Sequence, residues 1–219
     1  NVIDEAFSLD GYTMLRRDRR GKLGGGVLLY IKNDINFIEV PFEDNPVESL
    51  WIKLQNCNSS IDIALFYRAP NSTKEYTGAI IFFFKQIVKQ IEGSKKYIIM
   101  GDFNMPDINW QTTTGSSVSQ NFCNMCQDNF LLQLVETGTR GENILDLVLT
   151  NKGDLVSNLI LEAPLGSSDH DAINFEISDI KNKPKNMKKL PNFKKTNFTI
   201  IREEMNKIDW NAQFANFLQ

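Results

Sequence analysis

"KKYIIMGDFNMPDINW", residues 95–110, runs an apolar stretch straight into a polar mouth. Tyr97-Ile98-Ile99-Met100 is continuous, β-rich and of strand length, which reads as a buried strand. Gly101, Asp102 and Asn104 follow at once, with Asp107 and Asn109 just beyond. Gly, Asp and Asn close strands as turns. An acid and an amide two residues apart at the mouth of a buried strand also suit a site, and this stretch alone leaves both readings open.

Working outward, "GGGVLLYIK" (24–32) is a glycine turn feeding a β-rich run, and "ESLWIKLQ" (48–55) alternates apolar and polar residues. "SSIDIALFYRAPN" (59–71) reads as a further strand ending in Pro-Asn. "YTGAIIFFFKQIVKQIEG" (76–93) has helical spacing and a glycine stop, and a second helix is predicted around 117–135, where Phe122, Cys126, Phe130 and Leu134 recur. Strands follow at 144–150, 155–164 and 171–178. Strands in hairpin-like succession with only two long helices predict an α+β fold. Two mixed sheets pack on each other with helices outside, rather than in strict β-α-β alternation.

The chain has 219 residues, 42% of them hydrophobic, enough for one sizeable domain over 1–178. From Lys181 to Lys195, seven lysines and two prolines with little to bury predict a linker, followed by a short amphipathic helix. Residues 179–219 are therefore read as an appendage. The net charge of −3 excludes a globally basic nucleic-acid binder, so a polyanion would be met by a local patch or by cations. Cys57, Cys123 and Cys126 are too few and odd in number for a disulfide scaffold, and the last two fall at helical spacing as packing residues. No apolar run approaches the ~18 residues of a membrane span, and the N-terminus has no signal-peptide pattern. The expected location is intracellular, nuclear or cytoplasmic, with no membrane partner. Without an initiator Met, the sequence is expected to be a piece of a longer one.

Asp146 lies inside the apolar strand "NILDLVLT" (143–150), where an ionised carboxylate needs a partner. The single histidine, His170, lies in "LGSSDHDAINFEI" among Gly166, Ser167, Ser168, Asp169 and Asp171, and is the natural partner. Strand ends thus carry Asp102/Asn104, Asp146, Asp169/His170 and, in "FYRAPN", Arg68 and Asn71. Carboxylates, an amide and an imidazole at strand mouths fit a phosphodiesterase using a hard divalent cation. Mg²⁺ prefers carboxylate oxygens and keeps its waters, while Asn and His donate to charge developing on phosphate. "RRDRRGKLGGG" (16–26) is either a basic edge for a DNA backbone or a solvated hairpin tip. Arg140 in "GTRGEN" is read as reaching DNA.

"GDFN" (101–104) followed by "SDH" (168–170), with an Asp in a strand between them, resembles the endonuclease/exonuclease/phosphatase family. "GYTMLRRDRRGKLGGGVLLYIK", "ESLWIKL", "FYRAPN", "TRGENILDLVLTN" and "LGSSDHDAI" resemble, more closely, endonuclease domains of non-LTR retrotransposons of the jockey and chicken-repeat kind. That resemblance implies a four-layered α/β/β/α sandwich using Mg²⁺, with Mn²⁺ as a substitute, that nicks target DNA so that the new 3′-hydroxyl primes reverse transcription. The implied partners are DNA and a reverse transcriptase domain in a parent polyprotein. Asp102 resembles the residue that orients the attacking water, Asn104 a phosphate-contacting amide, and Asp169 a metal-side acid. His170 resembles the transition-state donor and Asp146 the acid that orients it. Asn71, Arg68, Tyr67, Arg140 and Ser168 are the implied phosphate or DNA contacts, with Arg68 taking the place of the family's tyrosine in ungapped register and Tyr67 beside it. In the family, a first strand with an Asn and a second ending in a metal-binding Glu come before the point where residue 1 falls, so the sandwich is expected to lack its first strands here. A binding-only remnant, or another phosphodiesterase or phosphatase of the same fold, is the alternative.

Overall fold

The computed structural model describes residues 4–19, 21, 24–41, 47–55, 60–70, 72–90, 96–178, 180 and 198–208. Ten strands and three α-helices are found among them. The strands are β1 (Tyr12–Asp18), β2 (Gly26–Lys32), β3 (Phe37–Glu39), β4 (Glu48–Leu54), β5 (Ile61–Tyr67), β6 (Lys96–Asp102), β7 (Leu132–Gln133), β8 (Asp146–Thr150), β9 (Val156–Glu162) and β10 (Ala172–Ile177). The helices are α1 (Lys74–Gln90), α2 (Ser117–Asp128) and α3 (Phe198–Asn206). The chain divides into a compact unit of Asn1–Lys183 and a second of Pro184–Gln219, in which α3 is the described element. The lysine-rich stretch 181–195 lies outside the described residues.

A six-stranded sheet ordered β3-β4-β5-β6-β8-β7 forms the centre of the first unit. It is mixed: β5 and β6 run parallel, and the other pairs are antiparallel. The parallel pair is joined through α1, as a crossover requires. Because side chains alternate, the cross-strand register sorts them into two faces. One face carries Trp51, Ala64, Phe66, Tyr97, Ile99, Leu147 and Leu149, and α1 and α2 cover it with Ile80, Phe83, Phe84, Phe122, Met125 and Cys126. The other carries Ile52, Ile63, Ile98 and Val148, and the hairpins β1–β2 and β9–β10 pack on it through Leu15, Leu29, Ile31, Leu161, Ile173 and Phe175. The expected α+β sandwich is present. Helices, central sheet and hairpin layer are three of its layers among the described residues.

The second helix is shorter than its spacing predicts. It ends at Asp128, where the backbone and side-chain N–H groups of Asn129 both donate to Met125 O. Phe130 then takes a left-handed φ of 54° and turns outward, 85% exposed. Leu132–Gln133 continues as an edge strand on β8. Helical spacing of Phe130 and Leu134 survives the turn by coincidence, so periodicity alone overruns it. Cys123 and Cys126 are buried and free, and burial pushes the Cys126 thiol up to about 12. Cys57 lies outside the described residues.

The "GDFN" tetrad owes each residue to a different physical demand. Gly101 has φ 137°, and a Cβ there would overlap the carbonyl oxygen of Phe66 on β5. Phe103 is fully buried, with ring centroids 6.1 Å from Phe66, 5.8 Å from Phe84 and 5.2 Å from Phe122, which anchors the loop in the helical-side core. Asn104 sits at φ 50°, a region Asn tolerates. We expect Gly101→Ala to cost on the order of 3 kcal/mol or more, because backbone, not a flexible side chain, would have to move. Urea denaturation at neutral pH measures this, and a loss under 1 kcal/mol would show that β5 and β6 can part easily.

Candidate active site

Cross-strand partners point to the same side of a sheet. On the hairpin-covered face, one row is Ile52–Ile63–Ile98–Thr150 and the next is Leu50–Leu65–Met100–Val148. The last row is Glu48–Tyr67–Asp102–Asp146. An apolar face therefore ends in four polar side chains contributed by four strands. The hairpins deliver one further group to each end of the row: Arg19, just after β1, and His170, just before β10.

At one end, His170 Nδ1 lies 2.7 Å from Asp146 Oδ2. That nitrogen is committed to the carboxylate, so the Nε2 edge of the ring is left to face a ligand. Thr139, fully buried, also donates from Oγ1 to Asp146 Oδ2 at 2.7 Å. The same hydroxyl accepts from the backbone N–H of Leu145 and of Asp146, each at 3.1 Å. Its carbonyl accepts from Asp171 N, tying the histidine's segment to the strand. Ser168 Oγ accepts from His170 N at 3.0 Å, so Ser168 shapes the turn that carries the imidazole.

Asp102 lies in the middle of the row. Its Oδ1 accepts from Asn104 N at 2.9 Å and its Oδ2 from Asn104 Nδ2 at 3.3 Å. Burial, and then the nearby Asp146 carboxylate, raise its pKa from 3.8 to about 6, opposed by His170, the Asn104 N–H and Arg140. A carboxylate held this way attracts cations.

Asp102, Asp146 and His170 offer ligand atoms that all lie within 4.8 Å of one another. Since His170 Nδ1 is hydrogen-bonded to Asp146, the groups suited to a metal are the two carboxylates. That donor set fits Mg²⁺, which is held by one or two carboxylates and otherwise by water and substrate phosphate.

Arg140 and Asp169 lie at the rim. The arginine pairs through Nη2 with Asp169 Oδ2 at 2.6 Å, both largely exposed. Arg68 points elsewhere than Tyr67. Its guanidinium donates from Nη1 to Asn104 O at 2.8 Å and from Nε to Thr77 Oγ1 at 3.0 Å, bracing the loop from beneath. Partial burial lowers its pKa, opposed by Asp107 and Asp102. Tyr67, not Arg68, thus occupies the row beside Asp102. Asn71 lies outside the described residues. Asp107 and Asn109 build the loop. Asp107 accepts from Ser116 N and Ser119 Oγ, each at 2.8 Å, at the start of α2, and Asn109 Oδ1 accepts from Gln111 N and Thr112 N.

Thr139 and Glu48 were not legible as site groups in the sequence, and Arg19 only as one arginine of a possible DNA-facing edge. A threonine in a turn carries no signal, and the strand register that places Glu48 in the row is a tertiary fact.

Residues 61–174 match the family model described as endonuclease-reverse transcriptase. The chain belongs to this endonuclease-reverse transcriptase family. Its fold is similar to that of the endonuclease domain of TRAS1, a telomere-specific non-LTR retrotransposon, with a TM-score of 0.63 at 17% identity over 79% of this chain and 81% of that one. It is also similar to a mannosyl-6-phosphatase of Bacteroides thetaiotaomicron (TM-score 0.53, 15% identity, 80% and 79% covered). A third similar structure is an endonuclease/exonuclease/phosphatase family protein of Leptotrichia buccalis (TM-score 0.51, 16% identity, 79% and 73% covered). No curated protein sequence matches it. Likeness at these identities establishes the endonuclease/exonuclease/phosphatase fold. Among the described residues no helix is long and apolar enough to cross a membrane.

Proposed function

We propose that this chain is a divalent-metal-dependent DNA endonuclease that nicks target DNA beside a reverse transcriptase domain of the same polyprotein. The observation that carries this reading is the Asp146–His170 pair at 2.7 Å, set in one row with Asp102.

Hydrolysis joins a water oxygen to phosphorus and breaks the P–O3′ bond, leaving a 5′-phosphate and a 3′-oxyanion that takes a proton from solvent water to become the 3′-hydroxyl. Asp102 orients the water and draws its proton, which its position in the row and its affinity for protons suit. Asn104, gripping Asp102, presents its remaining amide edge to a non-bridging phosphate oxygen. His170 Nε2 donates to the charge that develops on the phosphate, while Asp146 and Thr139 hold the ring in place. Asp102 and Asp146 are the residues that would hold Mg²⁺ or Mn²⁺, while Asp169, which the family resemblance makes a metal-side acid, is paired with Arg140 outside that group. Bound by Asp102 and Asp146, such an ion would supply charge neutralisation to the phosphate. Tyr67 contacts phosphate from the row, and Arg140 and Ser168 approach the DNA from the rim. The new 3′-hydroxyl is the primer that reverse transcription needs.

The test is conversion of supercoiled plasmid to nicked circles by the protein, with any residues its reading frame places ahead of Asn1. We expect nicking with Mg²⁺ or Mn²⁺, none with EDTA, and ends that a polymerase extends without prior treatment. Release of inorganic phosphate without nicking would favour a phosphatase of the same fold. Duplex binding without cutting would favour a binding-only domain.

A further inference from the structure

We infer that Arg19 is a positioning residue, seated by Gly25 and Glu48, that fixes the Tyr67 ring beside Asp102; its part in the reaction rests on the endonuclease reading above. Three neighbours bound the guanidinium: the Tyr67 ring, the Gly25 backbone and the Glu48 carboxylate. Its Cζ lies 5.4 Å from the Tyr67 ring centroid. On the Gly25 side, where φ is +86°, an added Cβ would overlap Nη2 and lie 2.5 Å from Cζ. Its Nε donates to Glu48 Oε1 at 2.7 Å. The other oxygen of Glu48 accepts from Gly26 N at 2.5 Å, and Glu48 N donates to the Tyr76 hydroxyl at 3.0 Å.

Glu48 is 8% exposed, and an acid so buried needs such partners. Glu48 and Arg19 side chains are 10% and 19% exposed, so this arginine is not a free cation lying along a DNA backbone. Arg16 is likewise engaged, with Asp18 at 2.7 Å. The reading of the basic stretch as an open DNA-binding edge therefore does not extend to Arg19. A planar guanidinium held within cation–π distance of a ring restrains that ring in a way a mobile ammonium does not. By strand register Tyr67 stands between Glu48 and Asp102, so what Arg19 restrains is the side chain next to the water-orienting acid. The glycines of 24–26, which read as a turn in the sequence, include the floor of this seat.

A four-protein cycle tests the role: wild type, Arg19→Ala, Tyr67→Phe and both together. The readouts are the nicking rate at saturating plasmid in Mg²⁺ and the affinity for a short fluorescein-labelled duplex in Ca²⁺. We expect Arg19→Ala to lower the nicking rate about tenfold with affinity within about twofold, since misplacement acts on the reacting geometry. In the Tyr67→Phe background the further loss is expected to be below about twofold, and Arg19→Lys is expected not to restore the rate. Equal losses in both backgrounds would overturn the inference, because a purely structural arginine acts regardless of the phenol. The seat is also read without activity. In ¹⁵N-arginine spectra the Arg19 Nε–H is expected to exchange slowly with water, and fast in Glu48→Gln. Fast exchange in the wild type overturns the seat whether or not the protein nicks. Slow exchange with no nicking by the wild type overturns the endonuclease reading alone.

Discussion

Nicking by the His170→Ala protein is expected to fall by about 10²–10³-fold, with affinity for duplex DNA within about threefold. A donor aimed at developing charge in an enclosed site contributes roughly 10²–10³ in rate, and the imidazole is the only histidine in the chain. Its Nδ1 is committed to Asp146 Oδ2, so the ring cannot swing away without breaking that bond. Asp146→Asn should keep the ring near its place, because Thr139 still holds the strand end through the backbone N–H groups of Leu145 and Asp146. It removes the charge that faces the ring Nδ1. We therefore expect a loss of about 10² with little change in melting temperature. Initial rates of plasmid nicking, alongside anisotropy of a labelled duplex, separate rate from binding. His170→Ala nicking within tenfold of the wild type would make the histidine structural and leave the row without its donor.

Which parts of this were readable beforehand follows from which residues break a local pattern. Asp102, Asn104, Asp146 and His170 each interrupt an apolar strand or strand mouth, and an interruption that costs desolvation demands a partner. The lone imidazole and the strand acid Asp146 could be paired on that ground, although β5 carries a more deeply buried acid, Asp62. Glu48 and Arg19 break nothing locally. Glu48 opens a strand, where an acid is ordinary, and its arginine lies 29 residues away. Their meaning comes from the register of β4 on β5, which no window of sequence contains. β1 is legible only through the strand edge or hairpin tip read over 16–26, because Arg16, Arg17 and Asp18 interrupt its alternation while pairing with β2. Tyr67 and Arg68 show the same limit. Counting positions put the arginine in the tyrosine's place, but the strand ends at Tyr67, so the phenol takes the row and the guanidinium turns under the loop.

Asp102→Asn is expected to abolish nicking, by about 10³-fold or more, and at the same time to stabilise the protein above neutral pH. Burial and the Asp146 carboxylate raise the folded-state pKa of Asp102 to about 6 from 3.8. Below the unfolded value both states hold the proton and nothing is lost. As pH rises through the window from 3.8 to about 6 the unfolded chain gives up its proton first, so stability falls, and above that window the full cost applies. The shift corresponds to about 3 kcal/mol at most, and partial solvent screening brings the expected gain from Asn to roughly 1–2 kcal/mol. For a chain of this size that is a rise of about 2–8 °C in melting temperature. Thermal melts in EDTA should show the gain at pH 8 and not at pH 4. Adding Mg²⁺ or Mn²⁺ should stabilise the wild type, since an ion held by ionised Asp102 relieves the same repulsion, and should stabilise the Asn protein much less. The two results bear on one cause. A carboxylate kept in a place where its charge is costly is poised to hold a cation and to take a proton from water. If the Asn protein melts no higher than the wild type at pH 8, that charge is already compensated in the folded chain, and the case for Asp102 as the acid that orients the attacking water loses its physical basis.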